Sequence, residues 1–118
     1  HCLAYKGING QERWFFRRDG GDWTPYSVKG PITGNHADTL THAAEQGLGL
    51  VVFPSWLIGE GLRAGTLQAV LTEYEVATTL EPQQIAALWP GSRRLSLKVR
   101  TVIDYFVECF GTVPYWDQ

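Results

Sequence analysis

The sequence predicts an α/β fold in which a mixed β-sheet is flanked by helices. Segments with the pattern of strands alternate with helical segments of roughly ten residues, the order found in layered α/β domains. Residues 48–53 are continuously apolar and include two β-branched side chains, as in a strand that helices cover on both faces. A third signal is an apolar stripe between residues 99 and 110, which repeats at helical spacing.

The first third of the chain predicts a strand followed by a β-hairpin. Residues 2–5 form a short apolar run typical of a strand. The aromatic run at residues 14–16 and the alternating segment at residues 26–32 are the predicted arms of the hairpin. Between them, Gly20 and Gly21 are expected to supply the positive φ of a tight turn.

Two helices are predicted most directly by their apolar spacing. In residues 37–46 apolar side chains recur at i, i+3 and i+4, and Asn35 or Asp38 is the expected N-cap. Gly47 is expected to end this helix in the left-handed conformation. The second helix covers residues 97–110, and its six-residue apolar stripe requires a partner surface.

The remaining elements follow from local turn chemistry. A short helix is predicted for residues 55–62, with Ser55 as its cap and Gly65 as its end. Residues 66–71 and residues 85–89 have the composition of two further strands. With 118 residues, of which 44% are hydrophobic, the chain is expected to form one partial domain over residues 1–118.

Composition limits the partners of the chain. Ten Lys and Arg residues against twelve Asp and Glu give a formal net charge of −2, which provides no basic stripe for nucleic acid. No apolar stretch approaches the ~20 residues of a membrane span, so no membrane partner is expected. Cys2 and Cys109 match no disulfide framework, which predicts reduced thiols in an intracellular protein. Because the sequence contains no Met, we expect it to be an excised part of a longer protein.

One pattern suggests an enzyme that depends on a metal. Asp38, His42 and Glu45 are spaced i, i+4 and i+7, which places three potential metal ligands on one helix face. The competing interpretation is a solvated face opposite the apolar positions, and we favour it because no second ligand-rich segment completes a coordination shell. Residues 59–65 lack the spacing of a dinucleotide-binding loop, and no G-x-S-x-G or Walker sequence occurs. We therefore expect no catalytic residues, no metal and no cofactor.

Two predicted helix starts favour an anionic ligand. The helices beginning near Ala37 and Ser55 each present unpaired backbone N–H groups, which bind carboxylates and phosphates. Lys6, at the end of the first strand, can add a charge-assisted hydrogen bond if the fold brings it near. The expected guest is a small organic anion.

Three motifs together resemble the C-terminal half of the effector-binding domain of LysR-type transcriptional regulators. They are the Gly-x-Gly, apolar strand and Pro pattern in residues 44–54, the L-x-x-G-x-L pattern in residues 62–67, and S-x-K-V-R-x-x-I-D-Y-F in residues 96–106. The resemblance implies a type II periplasmic-binding-protein-like fold in which two α/β subdomains enclose an effector. Residues 1–84 would be the second subdomain, and residues 85–118 a return strand and C-terminal helix.

The resemblance also implies a site and partners. The residues that it places at the cleft are Tyr5, Lys6, Gly7, Asn35, His36, Phe53, Pro54 and Ser55. The helix at residues 37–46 would mediate homo-oligomer formation, and DNA would be bound only by an N-terminal helix-turn-helix that this sequence lacks. The implied protein is a cytoplasmic regulator without catalytic activity. The alternative is an extracytoplasmic solute-binding receptor of the same fold.

Overall fold

The computed structural model describes residues 1–6, 13–89, 96–114 and 116. In chain order its elements are β1 (Leu3–Tyr5), β2 (Arg13–Arg17), β3 (Thr24–Ser27), β4 (Ile32–Gly34), α1 (Ala37–Glu45), α2 (Ser55–Ala64), β5 (Glu75–Ala77) and α3 (Leu97–Phe110). The chain divides into two compact units, a first unit of His1–Glu81 and a second unit of Pro82–Gln118. The predicted subdomain boundary after residue 84 stays a prediction.

A parallel pair of strands, β1 and β4, packs against α1. The two strands are in register with Tyr5 opposite Gly34. On the other edge of β1, Leu3 donates its backbone N–H to Leu50 O at 2.8 Å, and Leu50 donates its own to His1 O at 2.9 Å. Three parallel stretches of chain therefore lie side by side, with β1 in the middle.

The predicted hairpin is confirmed as the antiparallel pair β2 and β3, and β5 pairs with the other edge of β2. Its second arm runs from Thr24 to Ser27 instead of over residues 26–32, so the predicted bounds are wrong at both ends, and Ile32 begins the separate strand β4. Gly21 donates its N–H to Arg18 O at 2.9 Å, which closes the turn one residue earlier than expected. Asp19 and Gly20 occupy the central positions with φ of 52° and 70°, so the prediction of positive φ at Gly21 is wrong.

An ion pair joins β5 to β2. Arg17 and Glu75 are opposite in register, and Arg17 Nη2 donates to Glu75 Oε2 at 2.5 Å. This hydrogen bond raises the pKa of Arg17 above its ordinary value, and the nearby carboxylate charge adds to the effect. The guanidinium carbon also lies 4.5 Å from the centre of the Trp23 ring, within range of a cation–π contact. The sequence did not predict β5, because only Val76 and Ala77 are apolar and three residues show no alternation.

The first predicted helix is confirmed as α1, but its N-cap differs. His36 Nδ1 accepts the backbone N–H of Thr39 at 3.3 Å, so His36 is the cap rather than Asn35 or Asp38. The prediction considered only side-chain oxygens, whereas an unprotonated imidazole nitrogen is also an acceptor. Asp38 lies instead in the first turn, where the helix dipole favours a carboxylate.

The short helix predicted for residues 55–62 is confirmed as α2 and extends to Ala64. Its N-cap is Pro54, which makes no side-chain hydrogen bond, so the predicted capping role of Ser55 is wrong. Ser55 is already the first helical residue, because the fixed φ of the preceding proline sets the entry to the helix. Gly47 and Gly65 follow α1 and α2 with φ of 75° and 76°, as predicted.

The predicted strands at residues 48–53, 66–71 and 85–89 are not strands in the structure. In the first segment only Leu50 forms a bridge to a neighbouring strand. In the last, Leu88 is 93% exposed. An apolar run becomes a strand only where a neighbouring backbone offers a ladder of hydrogen bonds, and the described residues offer none to these segments beyond Leu50.

The buried core lies in the first unit. Ala4, Trp14 and Val28 form its centre, and Cys2, Phe16 and Val52 pack around them. Leu3 and Leu40 are buried where β1 meets α1. The core is therefore built where the two small sheets and the first helix converge.

The second unit contains α3, the helix predicted from the apolar stripe. Ser96 caps it by accepting the N–H of Val99 at 3.4 Å. None of its residues is buried, and the stripe is largely exposed. The Trp116 ring lies 5.3 Å from that of Phe110. The Cys109 thiol, four residues after Tyr105, raises the pKa of the Tyr105 phenol, mainly through a hydrogen bond.

Candidate functional site

The carboxyl ends of three parallel stretches meet at one edge of the first unit. β1 ends at Tyr5 directly opposite Gly34, the last residue of β4. Lys6 donates its backbone N–H to Gly34 O at 2.6 Å, which holds the exits of the two strands together. The stretch that begins at Leu50 leads to Phe53 at the same edge. Ligands of α/β proteins bind in the crevice outside the carboxyl ends of strands.

We call this part of the first unit the carboxyl edge. Its described residues are Tyr5, Lys6, Asn35, His36, Phe53, Pro54 and Ser55. All seven come from the predicted site, and the eighth, Gly7, lies outside the described residues.

An aromatic contact closes one side of the carboxyl edge. The rings of Tyr5 and Phe53 are 6.0 Å apart at an interplanar angle of 80°, an edge-to-face arrangement. Tyr5 is 43% exposed and Phe53 is half-buried. The pair offers an apolar surface next to Lys6, which itself is exposed.

The start of α1 is partly occupied by its own cap. His36 Nδ1 accepts from Thr39 N, and Thr39 Oγ1 lies 3.0 Å from the same nitrogen. In a neutral ring that accepts at Nδ1, the proton is on Nε2, which remains a donor. Asp38 adds a carboxylate to the first turn. The start of α1 therefore already contains a hydrogen-bond acceptor, His36 Nδ1, and a carboxylate, Asp38.

The start of α2 is different. Pro54 provides no side-chain cap, and the first turn contains no acidic residue. Pro54 O accepts the N–H of Leu57 at 3.0 Å, so the first free backbone donors of the helix are those of Ser55 and Trp56. Of the two predicted anion-binding helix starts, that of α2 is therefore electrostatically more favourable for an anion.

Asp38, His42 and Glu45, the residues of the less favoured metal alternative, all lie on α1. His42 Nδ1 is 3.9 Å from Glu45 Oε2. Within the described ranges no group of three or more His, Cys, Asp or Glu side chains could hold a metal. The side chain of His42 is 82% exposed, as on a solvated face, whereas that of Glu45 is only 25% exposed.

Two cavities in the first unit were not predicted. The apolar cavity, of about 440 Å³, is lined by Trp14, Phe16 and the segments around Val52 and Leu67. The acidic cavity, of about 420 Å³, lies between α1 and α2. Sequence reasoning missed Thr41 and Glu60, which line the second cavity, because their proximity depends on how the two helices pack.

The helices of the described ranges are too short and too polar to span a bilayer. The longest of them, α3, has 14 residues.

Curated relatives of the chain are transcriptional regulators. A probable HTH-type transcriptional regulator, LtrA of Klebsiella pneumoniae, is 30% identical over 113 residues, covering 96% of this chain and 35% of that protein. The HTH-type transcriptional regulator DmlR of Escherichia coli (strain K12) is 26% identical over 89 residues, covering 74% of this chain and 27% of that protein. The chain thus spans about a third of the length of the relatives that it matches. No solute receptor is among these relatives, so the receptor alternative is not favoured.

Solved structures show the same fold. The regulatory domain of AphB from Vibrio vulnificus superposes with a TM-score of 0.67 at 20% identity, over 91% of this chain and 50% of that chain. The same domain treated with cumene hydroperoxide gives a TM-score of 0.69 at the same identity and coverage. The predicted type II periplasmic-binding-protein-like fold is confirmed. Residues 3–110 also match the family model of the LysR substrate binding domain. The chain therefore belongs to the LysR substrate-binding domain family, the effector-binding part of LysR-type transcriptional regulators.

Proposed function

We propose that this chain senses a small organic anion at the carboxyl edge and forms part of a DNA-binding transcriptional regulator. One observation supports the position of the ligand above the others. The exits of β1 and β4 meet where the Lys6 backbone bonds Gly34, α1 begins three residues after Gly34, and the Tyr5–Phe53 ring contact brings the start of α2 to the same edge. Backbone donors and a cationic side chain at the same edge suit a carboxylate or phosphate.

The ligand's charged group is assigned to the start of α2. This helix start has free N–H groups and no carboxylate in its first turn, whereas α1 carries its own cap and Asp38. His36 Nε2–H and the backbone of Asn35 are then the second set of contacts. The edge-to-face pair of Tyr5 and Phe53 faces the apolar part of the ligand. An amphipathic organic acid fits this combination better than inorganic phosphate does.

The signal is proposed to pass through a population shift. A ligand that contacts both subdomains of a complete effector domain more favourably in the closed state increases the population of that state. A preference of about 1.4 kcal/mol changes the equilibrium tenfold. The helix at residues 37–46 is the proposed homo-oligomer contact, through which closure would change the spacing of helix-turn-helix domains on DNA. In this proposal the protein is cytoplasmic and non-catalytic.

Two single-residue variants test the ligand position. Ser55→Pro removes a backbone N–H at the first helical residue, where proline is tolerated, and the preceding Pro54 already has the extended conformation that a following proline requires. Lys6→Ala removes the cation. We expect benzoate or succinate to raise the melting temperature of the chain, and both variants to reduce that rise.

The controls separate specific binding from general charge effects. Lys98→Ala removes an exposed lysine from the second unit and should leave the rise unchanged. Benzamide, which has the ring without the charge, should produce no rise. If benzoate or succinate still raises the melting temperature fully in both Lys6→Ala and Ser55→Pro, the ligand binds elsewhere. If a panel of organic anions produces no stabilisation at all, the anion proposal is wrong.

A further inference from the structure

The apolar cavity of the first unit is lined by both buried and exposed apolar side chains. Trp14 is buried, and Phe16, Val52 and Ile58 are half-buried. Six further large side chains of the lining are exposed: Leu50, Leu62, Val70, Leu71, Tyr74 and Val76. Single apolar side chains on a surface need no explanation, whereas a contiguous set of them marks a binding site. Because these six line one cavity, they favour a ligand inside it.

The charge of the lining excludes an organic anion. Among the described residues that line the cavity, Glu45 is the single charged one. Thr66 Oγ1 donates to Glu45 Oε1 at 3.0 Å, which holds the carboxylate in place. A carboxylate or phosphate in this cavity would therefore meet a negative charge and no cationic partner, and its desolvation would not be compensated.

Three aromatic rings of the lining are in contact with one another. The Phe16 ring lies 6.5 Å from that of Trp14 and 6.4 Å from that of Tyr74. The contact with Tyr74 is edge-to-face, at an interplanar angle of 86°. A further ring gains from the same geometry, whereas a saturated ligand does not. The lining therefore favours an aromatic ligand over an aliphatic one of similar size.

The turn that leads to Tyr74 has an unfavourable backbone conformation. Tyr74 donates its backbone N–H to Leu71 O at 2.9 Å. Leu71 has a φ of 55°, in the left-handed region that a leucine rarely adopts. The turn costs conformational free energy, yet it leaves both side chains exposed beside the cavity. Since burial of these side chains does not offset the cost, we interpret the turn as part of a ligand-binding site.

The size of the cavity agrees with this class of ligand. Its volume is about 440 Å³, and small-molecule sites measure roughly 300–1,000 Å³. An apolar cavity of roughly 150 Å³ already holds one benzene ring. We propose that the apolar cavity binds a small aromatic molecule that carries no acidic group.

This inference goes beyond the anion proposal and does not depend on it. Of the described residues, the cavity and the carboxyl edge share Phe53 alone. The two ligands also differ in charge. Failure of the anion test leaves the test of the cavity unaffected, and the reverse also holds.

The test uses the whole chain and two alcohols that differ only in whether their ring is aromatic. Isothermal titration with 2-phenylethanol is expected to show saturable binding at one site. 2-Cyclohexylethanol should bind at least about twofold more weakly, the low end for an aromatic contact, although its ring is the more hydrophobic. Lys6→Ala, which alters the carboxyl edge, should leave the affinity for 2-phenylethanol unchanged.

Magnetic resonance locates the bound alcohol. In an isotope-labelled chain, the ring current of 2-phenylethanol should shift the indole N–H resonance of Trp14, which lines the cavity. The same resonance of Trp89, which belongs to the second unit, should not move. Equal shifts at both indoles would indicate unspecific contact with the surface.

Two variants identify the cavity as the site. Ala69→Phe adds bulk at an exposed lining position and should weaken 2-phenylethanol binding at least about fivefold, whereas Ala87→Phe in the second unit should not. Tyr74→Leu removes one ring of the lining and should abolish the preference for the aromatic alcohol. Tyr105→Leu, an exposed position of α3, is its control. Circular dichroism checks that the variants are folded.

Four results would overturn the proposal. One is the absence of saturable 2-phenylethanol binding to the unmodified chain, and another is equal affinity for the two alcohols. The third is unchanged affinity in both Ala69→Phe and Tyr74→Leu. The fourth is that 2-phenylethanol dissociates a dimer in sedimentation velocity, because a second copy of the chain would then be the occupant of the cavity.

Discussion

The first and second units use their amphipathic helices differently. In α1, Leu40 is 1% exposed because the β1–β4 pair covers it. In α3, a longer apolar stripe at the same helical spacing contains no buried residue. Both helices have a side-chain cap and regular spacing, so both form. The difference shows that periodicity determines whether a helix exists, while a neighbouring sheet determines whether its apolar face is buried.

The largest expected effect comes from truncating the buried helix. Leu40→Ala leaves a cavity between α1 and β1, and we expect it to lower the free energy of unfolding by about 2–5 kcal/mol. Leu97→Ala is the matched change in α3, where the leucine is 80% exposed, and should cost less than about 0.5 kcal/mol. Urea unfolding followed by circular dichroism measures both. Equal losses would refute the contrast between the units.

A smaller loss of unfolding free energy is expected at Gly30, where two backbone segments are in close contact. A Cβ added at Gly30 would overlap the carbonyl of Cys2, and a backbone carbonyl cannot move aside cheaply. Gly30→Ala should therefore destabilise the first unit by about 1–3 kcal/mol in the same urea experiment. At Gly34 the added Cβ would meet only Leu40 Cδ2, at 3.8 Å, which is ordinary contact. If Gly34→Ala is as harmful as Gly30→Ala, close packing is not the cause.

The exposed stripe of α3 can be changed with little effect on stability. Val107→Gln replaces an exposed apolar side chain, and the free energy of unfolding should change by less than about 0.5 kcal/mol. Self-association at high concentration should fall, because exposed apolar patches drive it. Sedimentation velocity over a concentration series measures this. Glu108→Gln on the same helix is the control, and a matching fall in that variant would contradict the role of the stripe.

The smallest effect is expected from the surface ion pair of the first unit. Glu75→Gln removes the partner of Arg17 and should lower the urea midpoint slightly at low salt and not at high salt, since salt screens exposed pairs. The raised pKa of Arg17 means that its contribution is complete below the ordinary pKa and lost only as pH rises through the raised one. Around neutral pH we therefore expect the fall in the urea midpoint caused by Glu75→Gln to be the same at every pH. A loss that varies with pH in that range would point to another titrating group.

Sequence patterns predicted the helices better than the strands. The stripes of α1 and α3 are local properties, and the left-handed stops at Gly47 and Gly65 follow from residue type. Strands depend on partners far along the chain. The apolar segment at residues 66–71 therefore formed no strand, whereas the three residues of β5 did because β2 lay beside them.

The carboxyl edge as a ligand site stays a prediction, although the element ends that form it could be read from the sequence. Turn residues mark where β1 and β4 end and where α2 begins, which is why the predicted residues fall at those ends. The cap made by His36 was missed because the acceptor role of a ring nitrogen depends on its tautomer. Thr41 and Glu60 were missed because only the packing of α1 on α2 brings them to one cavity.

The position of Trp14 has a practical consequence for spectroscopy. It is 8% exposed at the centre of the core, whereas Trp56 and Trp89 are about half exposed. A chain that retains only this indole should fluoresce at shorter wavelength than chains that retain one of the exposed indoles. Its emission would then report the opening of the first unit separately from events in the second.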